Sequence, residues 1–147
     1  MIKIVQLHVS DLKKIKELFY SVFSLPPWND DWSDEEQLNA YLLDLIDNKN
    51  SLAFEFYDND ELIGISLGHI KHWYQGTEYF IDELCIKTEK QGLGYGAQFI
   101  ELLEKELKTR KVKNIFLLTD RNVPAYEFYK KRGFYELTEN VAFCKEI

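Results

Sequence analysis

Cysteine is scarce in this chain: Cys85 and Cys144 are the only two among 147 residues. Both fall in apolar, strand-like segments, and no metal-ligand spacing involves either. The expectation is two reduced core thiols, with no disulfide and no metal site. Basic residues are also in deficit. Lys and Arg number 18 against 25 Asp and Glu, a formal net charge of −7, which argues against the basic footprint of a general nucleic-acid binder. The same charge suits a cationic substrate, and equally an ordinary solubilising surface. No apolar run approaches the length that crosses a bilayer. The N-terminal stretch MIKIVQLHVSDLKK has no apolar signal-peptide core. No linker, repeat or low-complexity segment interrupts the chain. These absences lead to the expectation of one cytoplasmic domain over residues 1–147, without nucleic acid or membrane among its partners. A homodimer stays open.

What the chain does hold is apolar and aromatic, 46% hydrophobic and 15% aromatic, which is enough for a packed core. Ile2 to Val9 alternates as a strand does. Ser10 reads as the cap of a helix carrying Leu12, Ile15, Phe19 and Val22, broken by Pro26-Pro27. Ser33 and Glu36 form a capping-box pattern for a second helix with Leu38, Tyr41, Leu42 and Leu45. Strands follow at Ser51 to Tyr57, Leu62 to Ile70 and Tyr79 to Ile86. A long helix runs from Gly92 to about Arg110, with Gly96, Phe99, Ile100, Leu103 and Leu107 on one face. Ile115 to Thr119 is a short strand. Pro124 opens a last helix that ends near Gly133. Phe134 to Ile147 reads as a final strand pair. The order β-α-α-β-β-β-α-β-α-β-β predicts a single α/β domain: one mixed sheet of about seven strands flanked by four helices.

The most informative stretch is Gln91-Gly92-Leu93-Gly94-Tyr95-Gly96, between a strand and the long helix. Three glycines leave little bulk over the backbone, so N–H groups there can approach a ligand closely. The helix aims its positive end at the same place, which suits a phosphate or pyrophosphate. The run also satisfies the dinucleotide pattern G-x-G-x-x-A, with Asp120 at the end of the next strand. A nicotinamide-binding reading fits less well. Lys87 to Gln91 separate the strand from the first glycine, and too little chain follows for further βαβ units. A Walker loop is excluded because no G-K-[ST] follows.

Downstream, Asn122, Ala125, Phe128, Tyr129 and Gly133-Phe134 complete N-x-x-A-x-x-[FL]-Y-x-x-x-G-F. With the [QR]-x-x-G-x-[GA] loop at the expected separation, the chain resembles the GNAT superfamily of acyl-CoA-dependent N-acyltransferases over its whole length. The resemblance implies acetyl-CoA as co-substrate and no metal. It implies that backbone amides from Gln91 through Gly92, Leu93, Gly94, Tyr95 and Gly96 cradle the CoA pyrophosphate. Leu84, Cys85 and Ile86 would run beside the pantetheine arm, Asn122 would contact the cofactor, and Tyr129 would stand near the sulfur. Packing readings exist for the last two: a helix cap for Asn122 and a core aromatic for Tyr129. Thr88 stands where the family often has proline.

Direct transfer requires a neutral amine and a donor for the oxyanion; the thiolate leaving group needs little help, though an acid can protonate it. A strand N–H near Cys85–Ile86 and the Tyr129 phenol suit the last two tasks. Asp82 and Glu83 are the candidate bases, interrupting an apolar strand whose alternation puts them on opposite faces. Asp82 is preferred, because aminoglycoside 6′-acetyltransferases in the family often carry an aspartate there; a salt bridge is the packing alternative. A nucleophilic Cys85 has no partner His. His69 and His72 lie where they could border an acceptor cleft. Between the first two helices, Trp28 is the candidate for the acceptor pocket and Trp32 for a hydrophobic staple. The resemblance implies an acceptor that is a primary amine of a small molecule or a protein. A non-catalytic acyl-CoA-binding or sensory module is the alternative of a different class.

Overall fold

A computed structural model describes every residue from Met1 to Ile147. The helices form where apolar side chains recur at helical spacing. In α1 (Leu12–Phe23) the buried positions are Ile15, Leu18, Phe19, Val22 and Phe23; in α2 (Glu35–Ile46) they are Leu38, Leu42 and Ile46. These two stripes cover one face of the sheet. The third helix, α3 (Tyr95–Thr109), lays Phe99, Ile100, Leu103 and Leu107 on the other face. The last, α4 (Pro124–Lys131), buries no residue fully. The peptide between Pro26 and Pro27 is cis.

The strands are β1 (Ile2–Gln6), β2 (Ser51–Asp58), β3 (Glu61–Trp73), β4 (Gly76–Ile86) and β5 (Asn114–Leu117). They lie in the order β1-β2-β3-β4-β5. The first three pairings are antiparallel and the last, β4 with β5, is parallel. Alternation splits each strand between two cores. Ala53, Ile65, Leu67 and Cys85 pack under α1 and α2, while Phe54, Phe56, Ile63, Tyr79, Ile81 and Ile86 pack under α3. Each fully buried aliphatic or aromatic side chain contributes roughly 1.5–3 kcal/mol.

The sheet has five strands, not about seven. The predicted pair over Phe134–Ile147 does not form. Beyond Phe134 the tail makes two backbone bonds, both local: Thr138 N to Glu136 O and Asn140 N to Leu137 O. Tyr135, Val141 and Phe143 are exposed, as is Cys144, which is therefore not a core thiol. Apolar alternation favours a strand only where a ladder partner and a face to bury against exist. The tail finds neither. Two caps also differ. Asp34, not Ser33, caps α2, accepting from Gln37 N at 3.1 Å. Ser10 sits in a short 3-10 turn, and Asp11 precedes α1 without a side-chain cap bond.

Candidate functional site

Strand β4 pairs with β5 only from Glu78 opposite Asn114 to Ile81 opposite Leu117. It then continues to Ile86 while β5 stops. From Asp82 onward β4 has β3 on one side and an open edge on the other. Lys87 N donates to Ile63 O on β3 at 2.7 Å. The alternation of an antiparallel ladder then turns the amides of Leu84 and Ile86 toward the open edge, and keeps those of Cys85 on β3. Of the three residues expected beside a pantetheine arm, Leu84 turns its backbone N–H and carbonyl to the open edge and Ile86 its N–H; the Ile86 carbonyl already accepts from Gln91 Nε2.

The same strand carries a bulge. Leu67 faces Glu83 but Gly68 faces Ile81, so Asp82 is the extra residue. One extra residue reverses the in–out alternation. Ile81 belongs to the α3 core and Cys85, four positions on, to the α1–α2 core. The expectation that Asp82 and Glu83 point to opposite faces is overturned. Both line one cleft of about 100 Å³, with Trp28, Leu84, Leu117 and Tyr129. A larger cleft of about 360 Å³ lies elsewhere, along β1 and β2. Its charges satisfy one another: Lys14 Nζ is 2.8 Å from the buried Glu55 and donates to Tyr57 Oη at 2.7 Å. The open edge of β4, not size, marks the candidate cleft.

Within it the two carboxylates differ. Asp82 is exposed, its Oδ2 2.8 Å from His69 Nδ1, and the His69 ring stacks on Phe80. Glu83 is mostly buried and accepts from Tyr41 Oη at 2.7 Å. Burial pushes the Glu83 carboxyl above the usual range; the Tyr41 bond opposes this, and the charges of Asp30 and Asp82 add to it. Tyr129 lines the cleft with its ring against Phe128 and Phe134, and its hydroxyl makes no hydrogen bond within the chain. Burial first, then the charge of Glu83, holds the phenol protonated well above its ordinary pKa. Cys85 is buried and its thiol is pushed up by desolvation, the opposite of an activated nucleophile. No three His, Cys, Asp or Glu side chains cluster in a metal-holding arrangement.

The glycine loop leads from this edge into α3. Gln91 Nε2 bonds the Ile86 carbonyl at 2.9 Å, and Tyr95 Oη bonds Asp58 at 2.7 Å, so both ends are pinned. Between them Gly92 and Gly94 have φ of 75° and 87°, and a Cβ at either would meet nothing within 4 Å. Backbone conformation and open space, not packing, call for glycine there. The amides of Gly92, Leu93 and Gly94 donate to nothing in the chain, and the first turn of α3 adds its own unpaired N–H groups. This set fits a pyrophosphate. Gly96 differs: a Cβ there would sit 3.0 Å from the Phe128 ring, so it is a packing glycine between α3 and α4.

The other predicted residues fall as follows. Asn122 is exposed in the turn before α4; the residue at the cap is Val123, so Asn122 is not an ordinary cap. Trp28 is 36% exposed, edge-on to Phe23, and lines the cleft. Trp32 packs on the α1–α2 core and stacks on Tyr41, away from the acceptor cleft. His72 is exposed at the far end of β3. Tyr41 itself was not visible as a site residue, because its helical spacing marks it as core and nothing in the sequence announces its hydroxyl.

The Acetyltransferase (GNAT) family profile matches residues 12–134. No curated protein sequence matches the chain. Among solved structures, an aminoglycoside acetyltransferase, meta-AAC0020 from an uncultured soil metagenomic sample, in complex with sisomicin, is similar at 22% identity. It has TM-score 0.74 and covers 99% of this chain and 96% of its own. AAC(6′)-Iy in complex with a bisubstrate analogue, CoA-S-monomethyl-acetylneamine, gives 18% identity, TM-score 0.74, and 100% and 99% coverage. A possible acetyltransferase from Clostridium difficile 630 reaches TM-score 0.83 at 14% identity, with 100% and 99% coverage. At these identities the structures speak for the fold; the profile, which spans most of the chain, speaks for descent. The chain belongs to the GNAT acetyltransferase family.

Proposed function

We propose that this chain transfers an acetyl group from acetyl-CoA directly to a primary amine of a cationic small molecule. The observation that carries the reading is one strand: β4 offers an unpaired edge leading to a glycine loop with free amides, and two carboxylates to an aromatic cleft at the same place. The amides of Gly92–Gly94 and the α3 entry would hold the pyrophosphate, and Leu84 and Ile86 the pantetheine arm. Acetyl-CoA supplies the acyl group as a thioester. Asp82 in the cleft, with Asp30 nearby, gives the charge, and Trp28 the aromatic face, that hold an ammonium group. That two structural neighbours are aminoglycoside acetyltransferases supports this choice of acceptor.

Amines are mostly protonated at neutral pH, so the acceptor must lose a proton before it attacks. We assign that proton to Glu83 in preference to Asp82. Asp82 is exposed and already paired with His69, whereas burial pushes the Glu83 carboxyl above its ordinary range, toward that of a useful base. Tyr129 Oη is the proton source for the departing thiol. Tyr126, three residues earlier, is turned away and bonds Glu136 at 3.0 Å.

An amine panel read by thiol release tests the proposal. Polyamines and aminoglycosides should be acetylated faster than neutral or acidic amino acids. Preference for acidic amines, or for protein N-termini alone, would sink the cationic-acceptor reading. Binding of acetyl-CoA with no turnover on any amine would favour a non-catalytic acyl-CoA module. Within the same assay, Tyr129→Phe keeps the ring against Phe128 and Phe134 and should lower turnover about 10- to 1000-fold. Acetyl-CoA affinity should hold, and the loss should shrink with thioesters of more acidic thiols. An unchanged rate would give this proton to water.

A further inference from the structure

We propose that Tyr41 is a positioning residue for Glu83: its hydroxyl fixes one carboxylate oxygen of Glu83 and leaves the other free for the acceptor amine. The inference rests on Glu83 being the base and adds a residue from another element to the site. Tyr41 Oη donates to Glu83 Oε1 at 2.7 Å, the one hydrogen bond that Glu83 side chain makes; Oε2 makes none. The Tyr41 ring is itself held, stacked on Trp32 at 5.2 Å and 20° and set against Phe19 at 6.1 Å. That packing would be served as well by phenylalanine. The hydroxyl serves Glu83 alone.

The groups around Glu83 make the bond consequential. Asp82 adjoins it on β4 and Asp30 reaches it from the loop after α1; both disfavour its anion. Tyr129 from α4 and the Cys85 thiol on β4 feel the Glu83 charge in turn. On β3 its register partner is the apolar Leu67, and from α1 the cleft receives only Phe23. Tyr41 is the only one of these neighbours seen donating to the carboxylate. Tyr41 keeps its proton, because burial and the neighbouring carboxylates hold the phenol well above its ordinary range. A donor that stays a donor stabilises the base form and sets its rotamer.

Tyr41→Phe should therefore lower kcat roughly 10-fold. It should also move the acidic limb of the kcat/KM profile to higher pH by roughly one unit, since the buried carboxylate loses its donor. KM for acetyl-CoA should stay the same. A merely structural Tyr41 would lower the rate without moving the limb, and that result overturns the proposal. Glu83→Gln supplies the control. If Glu83→Gln abolishes the limb while Tyr41→Phe leaves it in place, only the role of Tyr41 falls. If Glu83→Gln keeps both rate and limb, the base assignment falls and this inference with it. Should Tyr41→Phe lower the melting temperature, the double variant decides. The rate loss from Tyr41→Phe should vanish in the Glu83→Gln background; an equal loss in both backgrounds overturns the proposal.

Discussion

Glu83→Gln should lower turnover by roughly 10²- to 10⁴-fold, the usual range for a positioned general base. Glutamine is nearly isosteric, and its carbonyl oxygen can still accept from Tyr41, so the cleft keeps its shape. What disappears is the capacity to take a proton. Wild-type activity should fall as pH drops through the Glu83 pKa, which burial places above the ordinary carboxylate value; the variant should show no such limb. Asp82→Asn makes the contrast. Asp82 is exposed and paired with His69, so its loss should raise KM for a cationic amine more than it lowers kcat, the pattern of lost ground-state binding. If the two variants exchange these signatures, Asp82 is the base and Glu83 the anchor.

Gly94→Asp should abolish measurable acetyl-CoA binding. The unmodified loop is expected to bind with roughly −5 to −8 kcal/mol, submillimolar or better. Aspartate at this position places a carboxylate where the pyrophosphate charge would lie. The fold has reason to survive. No atom stands within 4 Å of the added Cβ, Asp tolerates a positive φ better than most residues, and an acid at a helix N-terminus is favourable. Calorimetry with acetyl-CoA, beside a thermal melt of the same variant, separates lost binding from lost structure. Normal binding would place the phosphates elsewhere. Gly94→Ala, which adds bulk without charge, should lose much less.

Both experiments concern residues that the sequence made legible to different degrees. The Gly92–Gly94 loop was readable because spaced glycines ahead of a helix N-terminus suit a phosphate cradle, and the structure gives each a φ that other residues resist. Gly96 looked the same in sequence but serves packing against Phe128. The carboxylates were found as polar interruptions of an apolar strand. Their common face was not, because a bulge is a property of pairing between β3 and β4, and no residue type writes it into β4 alone. Tyr41 was hidden for a related reason: helical periodicity records the ring and is silent about the hydroxyl. The tail misled because alternation describes a strand's own two faces and says nothing of whether a neighbour is there to receive them.

The exposed position of Cys144 on that tail has a practical consequence at the bench. Of the two thiols, Cys85 is sealed in the core and Cys144 stands in solvent. A disulfide-exchange dye used to count released CoA would therefore register one rapid equivalent per chain before any turnover. Replacing Cys144 with serine should erase that burst and leave catalysis alone. The same asymmetry makes Cys144 a single attachment point for a maleimide fluorophore on the native chain, with no second label reaching the cleft.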